Sequence, residues 1–231
     1  NHIIANPNCT TICMLMAIAP LHRKFNAKRL VISTYQSVSG SGQRGLNQLA
    51  CEQRGEVSDN PAYPHQIHEN VIPHGGSFME NGYTAEEEKL VFETNKILHS
   101  DIAVTATVVR VPVYGGHSES INVEFEKQFD IEEVKEILSK TPGVVVCDDP
   151  AENLYPTPVM AYDKALDFCF SFLSKRFFSI SLLCVPVFFS LNPARTAEAM
   201  GDYARLMSPE RFGVFQVGGV FFAVHFLSIL Y

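Results

Sequence analysis

The alternation of apolar and polar positions divides the first two thirds of the chain into separate elements. Residues 1–5 (NHIIA) form a short apolar run that predicts a strand, and the Asn-Pro-Asn that follows predicts a turn. From Thr10 the stretch TTICMLMAIAPLHRKF is apolar on most sides, which predicts a buried helix. Residues 28–35 alternate toward a strand, and SVSGSGQRG then predicts a Gly/Ser turn leading into a helix over 43–54. Residues 58–82 contain Pro61, Pro64 and Pro73 with little periodicity, which predicts mostly loop. Over 84–99, Thr84 and Glu87 have capping-box spacing, and Leu90, Ile97 and Leu98 mark the helix's inner side. Strands are predicted at 102–111 and 119–127, an amphipathic helix capped by Asp130 at 130–140, and a short strand at 143–147. Strands and helices follow one another without a regular βαβ repeat. The expected fold is therefore α+β, a mixed and mainly antiparallel sheet with helices packed on it.

Composition changes this picture after about Lys164. Residues 165–231 hold 12 of the 17 Phe, with 5 Lys/Arg against 4 Asp/Glu, and leave 13 basic and 21 acidic residues in the first 164. The break predicts two units, a domain over 1–164 and an atypical Phe-rich tail over 165–231. Residues 212–231 carry no Asp, Glu, Lys or Arg, which is long enough to span a bilayer. Gln216, the Gly218-Gly219 pair and His225 interrupt that stretch, so no membrane anchor is expected.

The net charge of −7 excludes a general nucleic-acid binder, since phosphate contacts need clustered Lys and Arg. Six Cys with no CxxC pair, in a chain long enough to build a core without staples, fit a reducing compartment. The chain starts with Asn1, so targeting signals are unreadable and the expected location is cytoplasmic or plastid.

Candidate chemistry centres on Cys9 and His117. Cys9 stands at a predicted helix start, where backbone N–H groups and the helix dipole favour a thiolate; the plain alternative is a small buried Cys. His117 lies in YGGHSES between two strands, where it is an acid/base candidate or a loop His with no task. Arg110 sits inside the apolar run TVVRVPV and needs a partner, either a substrate carboxylate or an internal salt bridge. Gln36 ends a strand beside a Gly/Ser turn, a weak active-site sign, and the Glu86–Lys89 pair reads first as a solvated helix face. GSGQRG follows a strand but has no acidic residue placed for a ribose, so a turn before a helix is the simpler reading. His65, His68 and His74 have no Cys or carboxylate at metal-binding spacing, and no metal is expected.

The stretches NPNCTT, STYQSVSGSG, NVIPH, NGYTAEEEKLVFETNKIL, RVPVYGGHSESINVEF and DDPAENLYPTP together resemble aspartate-semialdehyde dehydrogenases, in that family's order over roughly 1–164. The resemblance implies the dimerisation-domain fold of the glyceraldehyde-3-phosphate-dehydrogenase-like type, a homodimer, and the small-molecule substrates aspartate semialdehyde and phosphate with NADP as cofactor. It implies the interconversion of β-aspartyl phosphate and aspartate semialdehyde through a Cys thioester, in the biosynthesis of Lys, Met, Thr and Ile. By the same resemblance Cys9 is the nucleophile, His117 the acid/base and Gln36 the residue that orients substrate and thioester. Arg110 grips the substrate carboxylate, Glu86 meets the amino group, Lys89 and Asn8 lie on the phosphate side, and Ser39 and Gly40 approach the nicotinamide. Two related families differ at single positions. Glyceraldehyde-3-phosphate dehydrogenases carry His where this chain has Gln36, and N-acetyl-glutamyl-phosphate reductases favour Gly where it has Asn8. Set against the family, the N-terminal dinucleotide-binding domain is expected to be missing before Asn1, and the tail is foreign to it. On that reading the chain alone is expected to be nearly inactive in the hydride step. The alternative is a non-catalytic dimerisation fragment or an inert product.

Overall fold

The computed structural model describes residues 7–162, 168–176, 179–185, 212–217 and 220–225. The strand predicted over 1–5 lies outside them. Helix α1 (Cys9–Phe25) leads into strand β1 (Ala27–Gln36), a 3-10 turn (Val38–Ser41) and α2 (Gly42–Gln53). A long loop then reaches α3 (Ala85–Leu98), followed by β2 (Ala103–Arg110), β3 (Ser118–Phe125), α4 (Ile131–Ser139), β4 (Val144–Val146) and the short α5 (Pro158–Tyr162). Strands β5 (Phe168–Arg176), β6 (Ser179–Val185), β7 (Phe212–Val217) and β8 (Val220–His225) complete the order.

One six-stranded sheet in the order β2-β1-β3-β6-β5-β4 forms the frame. The β1–β2 and β4–β5 pairs are parallel; β1–β3, β3–β6 and β5–β6 are antiparallel. The expected mixed, mainly antiparallel α+β architecture is the observed one. The sheet also runs through the compositional break at residue 164, because β5 and β6 both come from after it. The boundary read from composition therefore does not coincide with the sheet: a Phe-rich stretch and an acidic one pair equally well through backbone N–H and C=O groups. The run read as a possible span holds β7 and β8, an antiparallel pair, and no helix among the described residues is long and apolar enough to cross a membrane.

One face of the sheet carries the helices. Helix α1 is apolar on nearly every side because it is buried nearly all round: every residue from Thr10 to Ala19 is inaccessible. It meets Leu30 and Ile32 of β1, Val108 of β2, Ile121 and Val123 of β3, Leu90 of α3, and Val134 and Leu138 of α4 in one core. Phe25, Phe125 and Phe129 close its far end, with ring centres 5.3–6.0 Å apart. The capping box read at Thr84 and Glu87 is formed, and Asp130 caps α4 by accepting the Glu132 N–H.

The strand directions gather the candidate residues at one end of the sheet. Strands β1 and β2 run parallel and finish together, with Gln36 beside Arg110. Strand β3 runs the other way and begins there, so His117, just before it, arrives at the same edge. Helix α1 starts above that edge with Cys9.

Candidate active site

Asn8 is the N-cap of α1; its side-chain oxygen accepts the Thr10 N–H at 3.0 Å, and its own N–H is held by the Glu93 carboxylate of α3 at 2.8 Å. Cys9 is thereby fixed at the first helical position. Its Sγ lies 3.3 Å from His117 Nε2, although 108 residues separate the two. Gly116 adopts φ +81°, a conformation that favours glycine, and delivers His117 to this point. His117 is only 4% exposed, and its Nδ1 receives the Ser37 N–H at 3.1 Å and lies 2.9 Å from Ser37 Oγ.

Arg110 is equally buried, at 4% exposed. Its Nη1 donates to the Ser37 carbonyl at 3.0 Å, and its Nη2 stands 3.7 Å from Glu86, a loose pairing. The Tyr63 ring centre lies 5.8 Å from the guanidinium carbon, and the Tyr63 hydroxyl donates to Ser41. Arg110 Nε, Glu86 Oε2 and both side-chain polar atoms of Gln36 are buried with no hydrogen-bond partner among the described residues. Buried polar groups are normally paired. A set of orphans with one cation, one anion and one amide around a thiol is what a small zwitterionic ligand would satisfy.

The electrostatics favour a resting thiol. Burial pushes Cys9 up to about 12, helped by the negative charge of Glu86; Arg110 and the Thr10 N–H pull the other way and lose. Burial, with the Arg110 charge second, lowers His117 to about 3, so its imidazole is neutral.

The structure thus brings Cys9, Asn8, Gln36, Glu86, Arg110 and His117 to one edge of the sheet. Ser39 is half-buried and Gly40 exposed on the turn beside them. A Cβ on Gly40 would stand 2.8 Å from Arg110 Nη1 and 3.0 Å from the His117 ring, so a side chain here would push on both. Glu86 and Lys89, one pair in the sequence, part company. Glu86 turns toward Arg110, while Lys89 is exposed on α3 and touches none of these groups. His74 stacks on Phe78 at 4.6 Å, and no group of three or more His, Cys, Asp or Glu among the described residues could hold a metal ion.

Four residues escaped the sequence reading. Ser37, Tyr63 and Glu93 act through backbone contacts or across long separations, which no local pattern announces. Glu119 did leave a signal: Ile121, Val123 and Phe125 alternate with it on the buried face of β3, so a carboxyl stands where the strand's period demands an apolar side chain.

Residues 18–170 match the protein family described as semialdehyde dehydrogenase, dimerisation domain. The chain is 49% identical over 166 residues to an aspartate-semialdehyde dehydrogenase of Aquifex aeolicus, covering 69% of this chain and 48% of that protein. It is similar to aspartate semialdehyde dehydrogenase II of Vibrio cholerae complexed with ASA, with a TM-score of 0.76 and 34% identity, over 88% of this chain and 60% of that one. An aspartate semialdehyde dehydrogenase with NADP from Candida albicans shares the fold at a TM-score of 0.60 and 22% identity, over 87% of this chain and 56% of that one. The chain spans about half the length of the curated relatives it matches.

Proposed function

The chain belongs to the semialdehyde dehydrogenase dimerisation-domain family, and from that premise we propose that it is the catalytic and dimerisation part of an NADP-dependent aspartate-semialdehyde dehydrogenase. The observation that carries the reading is the Cys9 Sγ to His117 Nε2 approach of 3.3 Å at a helix N-terminus, beside a buried Arg110. Such a thiol attacks the acyl carbon of β-aspartyl phosphate, phosphate leaves, and a thioester on Cys9 remains.

The surrounding residues fit that substrate. Arg110, with a free Nε, takes the α-carboxylate through its planar fork. Glu86 takes the α-ammonium, and the unpaired Gln36 amide orients the acyl group. An ammonium beside Glu86 cancels one of the charges that keep Cys9 protonated, while the carboxylate on Arg110 cancels one that opposes it. Asn8, at the N-terminus of α1, lies where a phosphate is favoured, and Lys89, exposed on α3, is the further cation that would have to swing toward it.

The accessible Ser39–Gly40 turn, packed against His117, fits contact with a nicotinamide edge. NADPH, when bound, supplies the hydride that takes the thioester to the aldehyde level. The helix-free face of the sheet carries the half-exposed Val31 and Val109 with Tyr35 at 42% exposed, and this is the face we assign to the homodimer. The reading places the chain in the biosynthesis of the aspartate-derived amino acids.

The test is phosphate release from β-aspartyl phosphate by the full chain. Release that is lost in Cys9→Ser, and that needs much higher substrate in Arg110→Leu, is expected. Equal release by Cys9→Ser would refute the assignment.

A further inference from the structure

Ser37, which no sequence pattern singles out, ties Arg110, Ser39 and His117 together. It is fully buried. Its carbonyl accepts from Arg110 Nη1 at 3.0 Å, its hydroxyl lies 2.9 Å from Ser39 Oγ, and both its N–H (3.1 Å) and its hydroxyl (2.9 Å) converge on His117 Nδ1. The main-chain N–H can only donate. The ring nitrogen it faces must therefore offer a lone pair. A neutral imidazole has one N–H, so that proton sits on Nε2, which is the nitrogen facing Cys9 Sγ at 3.3 Å.

We propose that Ser37 is a positioning residue that fixes the His117 tautomer, so that His117 meets Cys9 as a hydrogen-bond donor and not as the base that removes the thiol proton. An Nδ1–H tautomer, which a base at Cys9 would need, would set two donors against each other in a buried site. So would the doubly protonated ring of a thiolate–imidazolium pair. Burial and the neighbouring Arg110 charge, which hold His117 neutral, act in the same sense.

The inference rests on the acyl-transfer reading and adds a proton route to it. As the Cys9 sulphur bonds to the acyl carbon, the bond from that carbon to the phosphate oxygen breaks. The departing phosphate takes the thiol proton and leaves as monohydrogen phosphate, so no separate base is consumed. His117 keeps its proton through this acyl-transfer step and donates through Nε2–H to the sulphur or to oxygen charge that develops beside it.

The tautomer is read directly by 15N NMR of the full chain labelled at histidine, with His117 assigned by the signal missing in His117→Gln. The expected spectrum has a protonated Nε2 and an unprotonated Nδ1 that do not titrate between about pH 5 and pH 9. Ser37→Ala, which retains the N–H, is expected to keep that tautomer but slow Cys9 alkylation by iodoacetamide about fivefold, and Ser37→Thr to restore the rate. A protonated Nδ1 overturns the proposal, as does an alkylation rate that levels off in acid as for an ion pair. Acylation of Cys9 by β-aspartyl phosphate, measured on the same sample, separates the two claims. Acylation with a protonated Nδ1 overturns the clamp alone. The Nε2–H tautomer without acylation supports the clamp and removes the acyl-transfer reading.

Discussion

Glu119 and Thr34 face one another across the β1–β3 pair, both fully buried and neither side chain with a hydrogen-bond partner among the described residues. They form the row beneath Gln36 and His117 on the α1-facing side of the sheet. Burial raises the Glu119 carboxyl well above its ordinary range, so it is held neutral. A folded-state value raised in this way gives stability that is fully present below the unfolded carboxylate range, and that is lost as pH rises through the folded value. Urea unfolding is therefore expected to show wild type losing stability relative to Glu119→Gln between about pH 5 and pH 9, by at least about 1 kcal/mol. A difference that stays flat over that range would mean that Glu119 is not a buried neutral acid.

His117 has the opposite sign. Its folded value is depressed to about 3 from the ordinary 6.5. The stability it gives by staying neutral is present above the unfolded value and is lost as pH falls through the folded one. The stability of wild type relative to His117→Gln should be constant at neutral pH and shrink steadily as pH falls from 6.5 toward 3. A difference independent of pH through that window would contradict a buried neutral imidazole.

Much of this architecture was legible in the residues. Periodicity located α1, α3, α4 and the strands β1 to β4, and local chemistry named both caps, because those signals reside in neighbouring positions. The strand order was not legible. It depends on β5 and β6, whose sequence shows a Phe-rich composition and no clean alternation, and which join the sheet through backbone pairing. The site divided along the same line. Cys9, Arg110 and His117 were found from a helix start, a charge in an apolar strand and a Gly-Gly turn. Ser37 was passed over because its role depends on a contact 80 residues distant.

Charge around the thiol should be measurable from outside. With Cys9 at about 12, alkylation by iodoacetamide in the absence of substrate is expected to be slow at neutral pH and to keep rising beyond about pH 9. Glu86→Gln removes a charge that holds the thiol protonated and should speed the reaction several-fold, whereas Arg110→Leu should slow it. Identical rates in the three proteins would show that these charges do not reach the sulphur.

Assembly should depend on the open sheet face. Tyr35→Glu places a charge among half-exposed side chains that the homodimer would bury, at no cost to the buried α1 side. Sedimentation is expected to show a dimer for wild type at micromolar concentration and a monomer for the variant. A wild-type monomer would remove the dimer assignment, and a dimeric variant would move the interface elsewhere.

The central claim is that Cys9 becomes acylated. Peptide mapping by mass spectrometry, after acid quenching of the chain with β-aspartyl phosphate, reads that bond directly. The account predicts an aspartyl thioester on the peptide that contains Cys9, absent from Cys9→Ser and reduced at least about tenfold in Gly40→Val, whose side chain would crowd His117 and Arg110. An unmodified Cys9 in wild type, or an aspartyl adduct on Cys13, Cys51 or Cys147 instead, would contradict it.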